Sequence, residues 1–89
     1  MVRMFIRHQV ADYPAWRSVY DSIDGTRASM GVTGQAVFRS TADDCDVTAW
    51  HDFESEDAAR AFASSPALHD AMERAGIQGA PQIWFATAA

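Results

Sequence analysis

The chain opens on a run rich in apolar and β-branched side chains whose two parities differ in character. From Val2 to Val10, Met4, Ile6, His8 and Val10 share one parity while Phe5 and Arg7 take the other. That alternation predicts a β-strand with two unlike faces. The period then lengthens. Asp12-Tyr13-Pro14 ends the strand and starts a helix, since proline is tolerated in a first helical turn. Trp16, Val19, Tyr20 and Ile23 follow at i, i+3, i+4 and i+7, an amphipathic stripe. Gly25 weakens the middle of this helix, which resumes through Arg27 to Met30 and stops at Gly31. Strand patterning returns at Gly34 to Ser40 and Val47 to Phe53, across an Asp-rich turn short enough for a hairpin. Ser55 is placed to cap the next helix, with Glu56 and Asp57 in the first turn, where the helix dipole favours them. Ala59, Phe62 and Ala63 form its apolar side. Ser64-Ser65-Pro66 breaks the helix and restarts it with Leu68, Met72 and Ala75 as a stripe, until Gly76 stops it. Gln82 to Ala86 reads as the last strand.

The order β-α-β-β-α-β predicts an α+β, ferredoxin-like domain spanning residues 1–89, with a four-stranded antiparallel sheet, helices on one face and the second helix broken near Pro66. Two helices cover only one face of such a sheet. Met4, Ile6, His8, Val47, Ala49, His51, Phe53, Ile83 and Phe85 form a mostly apolar face suited to lie beneath them. The opposite face carries Phe5, Arg7, Thr48, Trp50, Asp52, Gln82 and Trp84. Two tryptophans and a phenylalanine are too much apolar area for a small monomer to leave in water. A homodimer with its two sheets packed face to face is therefore expected, with Phe5, Arg7, Trp50, Asp52 and Trp84 in the interface. A register slip of one residue would exchange the two faces.

Size and charge sharpen this picture. A chain of 89 residues buries only about 60 to 65% of the surface its unfolded form exposes, so its core needs added support. One cysteine excludes an internal disulfide, and no paired Cys or His occurs at zinc-finger spacing. Oligomerisation remains as the support. Cys45 lies in the polar stretch Ala42 to Asp46 and reads as an exposed turn residue; a lone thiol suits a reducing compartment, here the cytoplasm. Twelve acidic residues face seven arginines spread along the chain, for a net charge of −5. No basic patch is available to neutralise a row of phosphates, which disfavours nucleic acid and anionic membrane surfaces as partners. No apolar run approaches the ~20 residues of a membrane span, and charges interrupt the apolar N-terminal stretch in a way no signal peptide does.

Histidine is the side chain suited to acid–base work near neutral pH, and the chain has three. His8 and His51 fall on the face assigned to the helices; His69 lies on the broken helix and could overlook the same space. A histidine buried among apolar groups stays neutral and can accept a proton. These three are the candidate catalytic residues. The plainer alternative is that each hydrogen-bonds a neighbouring backbone group or Tyr hydroxyl. A three-histidine metal site lacks carboxylates at helpful spacing to support it. Trp16, Tyr20, Phe62 and Met72 would line the helical side of a pocket, or simply fill a core. Arg27, on the same stripe as Trp16 and Tyr20, could meet a substrate carboxylate at the pocket edge, or pair with a neighbouring Asp. Neither a phosphate-cradling glycine loop nor a Rossmann fingerprint is present, and no Ser-His-Asp order occurs.

The run Arg7 to Trp16, with Phe53-Glu54-Ser55, Ala59 to Phe62, Ser65-Pro66 and Ala75-Gly76, resembles small proteins of the dimeric α/β-barrel superfamily, in its antibiotic-biosynthesis-monooxygenase-like branch. The resemblance runs from about Val2 to Phe85 and rests mostly on caps, turns and core aromatics. It implies a homodimer in which the sheets pair into a barrel, with a ligand pocket between sheet and helices in each subunit. Its members include cofactor-free oxygenases of aromatic polyketides, haem-degrading oxygenases, cyclases and lactone isomerases. The haem-degrading branch has an Asn on its first strand and a Trp and a His on the second helical segment; Phe62 and Met72 stand in the latter places, and the first strand has no Asn. The cyclase branch has a His just after a Pro-Ala step, whereas Pro66-Ala67-Leu68-His69 puts it one residue later. The expectation is a small enzyme without a cofactor, acting on an aromatic or polyketide-like molecule by oxygenation, cyclisation or isomerisation. A non-catalytic dimer that binds a small hydrophobic molecule, or serves as an accessory protein, is the alternative.

Overall fold

The computed structural model describes all 89 residues. Along the chain run β1 (Val2–Val10), α1 (Tyr13–Ser22), α2 (Asp24–Ser29), β2 (Gly34–Arg39), β3 (Asp46–Phe53), α3 (Glu56–Ala63), α4 (Pro66–Arg74) and β4 (Ile77–Ala86). The four strands make one antiparallel sheet in the order β2-β3-β1-β4. This is the expected ferredoxin-like α+β arrangement, with the helices on one face.

Register decides which side chains meet the helices. Met4 lies opposite His51 and Phe85, Ile6 opposite Ala49 and Ile83, and His8 opposite Val47. These positions point under the helices, and Met4, Ile6, Val47, Ala49 and Phe53 are buried there. On the other face Phe5 lies opposite Trp50 and Trp84, and Arg7 opposite Thr48 and Gln82. The alternation along β1 and β3 thus sorts the two faces as the sequence pattern requires.

The buried side chains form two clusters rather than one. Met4, Ile6, Ala49, Phe53, Ala59, Phe62 and Leu68 pack beneath α3 and α4. Val10, Trp16, Tyr20, Val47 and Ala75 pack beneath α1. The helices over these clusters start where capping side chains take up free amides. Asp12, Ser55 and Ser65 accept from the backbone N–H of Ala15, Ala58 and Leu68, each at 3.2 Å.

Three local expectations need correction. The first helix is not merely weakened at Gly25; it is cut at Ile23 into α1 and α2. The carbonyl of Tyr20, which a continuous helix would offer to the amide of Asp24, instead accepts from the Arg27 guanidinium and from Ile23 N–H. The last strand begins at Ile77, five residues before Gln82. Gly79 and Pro81 look like strand breakers, but β4 is an edge strand, where proline is tolerated, and its pairing with β1 shifts register between Arg7 and Gln9. Gly79, at φ 74°, supplies the backbone geometry that this irregularity needs. Finally, Cys45 is half-buried against the second cluster rather than fully exposed.

The hinge between α3 and α4 is a measurable element. The buried Ser65 hydroxyl donates to the carbonyl of Phe62 at 2.8 Å while accepting from Leu68 N–H, so it ties both helices together. Ser65→Ala should cost about 1–2 kcal/mol, and the exposed cap change Ser55→Ala no more than about 1 kcal/mol. Urea unfolding of both variants is the check; equal losses would show that bridging the hinge adds nothing.

Candidate active site between sheet and helices

The two core clusters do not close fully on each other. At their seam lies a cavity of ≈40 Å³ with an almost entirely apolar lining. Ile6, His8, Ala49 and His51 come from the sheet, Trp16, Tyr20 and Arg27 from α1 and α2, and Phe62, Leu68 and Met72 from α3 and α4. Ala49, Ala71 and Ala75 also line it, and their short side chains leave the space. His8, His51, Trp16, Tyr20, Arg27, Phe62 and Met72, all singled out in the sequence, meet at this one place.

The aromatic rings form a continuous wall. His8 meets Trp16 edge-on at 5.7 Å, Trp16 stacks on Tyr20 at 4.9 Å, Tyr20 lies 6.0 Å from His51, and His51 lies 5.6 Å from Phe62. Such offset and tilted contacts are those the ring quadrupoles favour. Polar groups interrupt the wall at few points. Tyr20 Oη and His51 Nε2 form a buried hydrogen bond of 3.0 Å. The Nδ1 atoms of His8 and His51 are both buried without a hydrogen-bond partner in the protein.

Burial governs the electrostatics. It pushes the His8 imidazole down to about 4. The same cause, reinforced by the positive charge of Arg27 and opposed by Asp52, brings His51 to about 4. Burial raises the Tyr20 phenol, against the lowering influence of Arg27 and Arg17. Both rings are therefore neutral at pH 7.

Arg27 is 2% exposed, and each of its three guanidinium nitrogens has a hydrogen-bond partner. Nε donates to Gln35 Oε1 at 2.9 Å, Nη1 to the Tyr20 carbonyl, and Nη2 to Asp24 at 3.3 Å, while the guanidinium carbon lies 3.7 Å from the Tyr20 ring centroid. The pairing with a neighbouring Asp is realised, and each guanidinium nitrogen already bonds a group of the protein. His69 does not reach the cavity. It is exposed on α4, with Nε2 donating to the carbonyl of Ala63 at 3.3 Å across the α3–α4 hinge. Gln35, the partner that fixes Arg27 from β2, carried no signal in the sequence beyond an alternating strand position. No group of three or more His, Cys, Asp or Glu side chains lies close enough to hold a metal ion.

This architecture is shared with solved structures of antibiotic-biosynthesis-monooxygenase-like proteins. SnoaB, a cofactor-independent oxygenase from Streptomyces nogalater, superimposes with a TM-score of 0.81 at 17% identity, over 99% of this chain and 92% of its own. A Bordetella bronchiseptica protein named as an antibiotic biosynthesis monooxygenase gives 0.83 at 15% identity, over 99% of this chain and 96% of its own. Another structure of that name gives 0.77 at 6% identity, over 100% and 99%. At such identities the likeness is one of fold. No family model and no curated protein matches the sequence.

The two neutral histidines tie stability to pH. Unfolded, each would titrate near ~6.5; folded, each titrates at about 4. The unfolded chain therefore binds more protons between these values. Stability should be full above the unfolded pKa, decline as pH falls through the window, and level off below the folded pKa. The slope should reach about 1.4 kcal/mol per pH unit for each ring. Unfolding free energies measured from pH 7.5 down to about pH 5, above most carboxylate titration, test this; a flat profile would contradict the burial of both rings in neutral form.

Proposed function

We propose that this protein is a cofactor-independent enzyme that binds an uncharged aromatic or polyketide-like molecule between sheet and helices and removes a proton from it. The observation that carries this reading is that two buried, neutral imidazoles, each with an unpartnered Nδ1, both line one apolar cavity. A buried polar atom without a partner costs about 1–3 kcal/mol, so two of them on residues that line one cavity favour a binding role for it. A neutral imidazole can take an acidic proton from a phenol or from a carbon beside a ketone. The resulting anion offsets the cost of the imidazolium, since an opposite charge alongside raises the proton affinity of a ring that burial had lowered. An electron-rich anion of this kind can react with dioxygen, or attack a carbonyl of its own chain and close a ring.

The cavity as it stands accommodates little more than a water or two. A fused-ring ligand therefore has to displace side chains, and half-buried Met72, with its flexible thioether, is the one suited to yield. This small volume also favours a second reading, a non-catalytic binder of small hydrophobic molecules. The two separate in one experiment. Ketonic fused-ring compounds are offered in deuterated water, and exchange of the carbon-bound hydrogen beside the ketone is followed by proton NMR. Catalysed exchange is expected, falling at least ~100-fold in His8→Gln. Binding without catalysed exchange would select the binder; exchange unchanged in His8→Gln would remove His8 from the chemistry.

The working unit in this reading is a homodimer. On the bare face Phe5 stacks on Trp84 at 5.3 Å, the Arg3 guanidinium lies 3.7 Å from the Trp50 ring, and Trp84 and Phe38 are 43% and 55% exposed. Arg3 and Arg7 form paired hydrogen bonds to Asp52 and Asp46, which hold both carboxyl groups below their usual range. Charge on this face is thus neutralised within each copy, and the aromatic area is what a second copy would bury. No helix is long and apolar enough to cross a membrane. A single half-buried cysteine without a partner fits a reducing, cytoplasmic setting. Sedimentation at micromolar concentration should give a dimer, and Trp84→Arg a monomer; a monomeric parent protein would end the dimer proposal.

A further inference from the structure

We propose that α2 is a hinged lid over the cavity, held shut by the bond from Arg27 to Gln35 of β2, and that it swings outward to admit a ligand. This rests on the reading of the cavity as a small-molecule site and concerns how that site is reached.

A space of ≈40 Å³ has to widen before a ring compound can enter, and a close-packed interior does not widen by uniform stretching. Met72 can make room inside, but an element of the wall must also give way. Among the helices that line the cavity, α2 is the least firmly seated. Arg27 is its only buried residue and its only contribution to the lining. By contrast α1, α3 and α4 are each seated by two buried hydrophobic side chains: Trp16 and Tyr20, Ala59 and Phe62, Leu68 and Ala71.

Flexible points flank this short helix. Ile23, between α1 and α2, departs from helical geometry at φ −106° and ψ 18°, and gives α2 no side-chain cap. Gly31, beyond the other end, has φ 98°, a conformation glycine adopts at little cost. On its outer side α2 is not packed flush against the sheet. An open cleft of ≈210 Å³ is lined there by Asp24, Ala28, Val32, Thr33, Gly34 and Gln35. One side-chain hydrogen bond joins α2 to β2, from Arg27 Nε to Gln35 Oε1 at 2.9 Å.

The chemistry of this latch lets it open. When shut, Arg27 bonds Gln35, the Tyr20 carbonyl and Asp24, and lies on the Tyr20 ring. A swing about Ile23 and Gly31 parts the guanidinium from Gln35 and Tyr20, whereas Asp24, on the same helix, moves with it. The loss is smaller than the bonds suggest, because a buried charge regains its hydration on reaching water. An apolar anchor would have no such compensation. The open form is thus a minor state within thermal reach. Opening withdraws Arg27 from the wall it shares with Tyr20 and Ile23, and the ligand enters at that point.

Two changes at Gln35 test the lid, because they drive the latch in opposite directions. Gln35→Leu removes the acceptor, whereas Gln35→Glu keeps the shape and adds a charge that grips the guanidinium harder. Stopped-flow fluorescence follows the association rate of naphthalene. NMR follows hydrogen exchange at Val32 N–H, which bonds the Arg27 carbonyl across Gly31. Gln35→Leu should speed both about tenfold, and Gln35→Glu should slow both about two- to fivefold. Thr33 N–H, bonded to the Asp52 carbonyl beyond the lid, should keep its rate in both variants. Faster exchange in both would mark Gln35 as a structural residue only and overturn the inference. If Gln35→Leu does not fold, Gln35→Glu decides alone, and an unaltered entry rate rejects the lid. If naphthalene binds and neither variant changes its entry, the inference fails and the small-molecule site stands. If naphthalene binds to none of the proteins, the site reading falls and takes this inference with it.

Discussion

A guanidinium removed from water organises one side of this protein. Burying the charge of Arg27 is costly unless its hydrogen bonds are satisfied. Three elements meet that demand: Tyr20 of α1 gives a carbonyl and a ring face, Asp24 of α2 a carboxylate, and Gln35 of β2 a side-chain oxygen. The planar head of arginine, with donors in fixed directions, suits this better than a lysine ammonium would. The consequences run outward from that contact. The Tyr20 carbonyl leaves the helical ladder, the helix breaks at Ile23, and α2 folds back toward β2. The Tyr20 ring, sandwiched between Trp16 and Arg27, has its hydroxyl aimed at His51. The geometry of the candidate site is therefore set by an interaction on its rim.

The two faces of the sheet solve different problems with the same residue types. Under the helices, aromatic rings meet histidines, and no acidic side chain lines the cavity, so the imidazoles remain neutral. On the bare face, aromatic rings meet arginines that are already paired with aspartates. Such a face has little net charge and much flat apolar area, the combination that packs sheet on sheet. One residue step separates the two environments: His51 and its neighbours Trp50 and Asp52 differ in surroundings because successive side chains point to opposite sides.

Much of this was legible in the sequence because it depends on period and local chemistry. Alternation along β1 and β3 sorted His8 and His51 to the covered face, and the stripe from Trp16 to Ile23 brought Trp16 and Tyr20 over them. Ser55 and Ser65 identified helix starts by their capping chemistry. What escaped depends on tertiary context. Gly79 and Pro81 break a central strand but not an edge strand, and edge position is set by which strands pair. His69 shares the broken helix with cavity-lining residues, yet it sits about 100° around the helix from its neighbour Leu68, and it turns outward to the Ala63 carbonyl. The cavity itself is a space left by Ala49, Ala71 and Ala75, and alanines in a core pattern do not announce whether neighbours will fill the gap.

A core divided into two clusters is a poor way to maximise stability. Joining them would take only larger side chains at the alanine positions along the seam, and would bury more apolar area at no cost in polar groups. Instead the seam holds two imidazoles with unpartnered nitrogens, in a chain whose small size leaves little stability to spare. Packing alone offers no reason for the arrangement at His8, where a leucine would remove the penalty, whereas His51 at least partners the buried Tyr20 hydroxyl. Binding does offer one. A ligand that fills the seam and supplies oxygen to a ring nitrogen recovers both the missing contacts and the missing hydrogen bond. In the proposed reading the deficits of the free protein become its affinity for that ligand, which is why the cavity rather than the better-packed core carries the proposal.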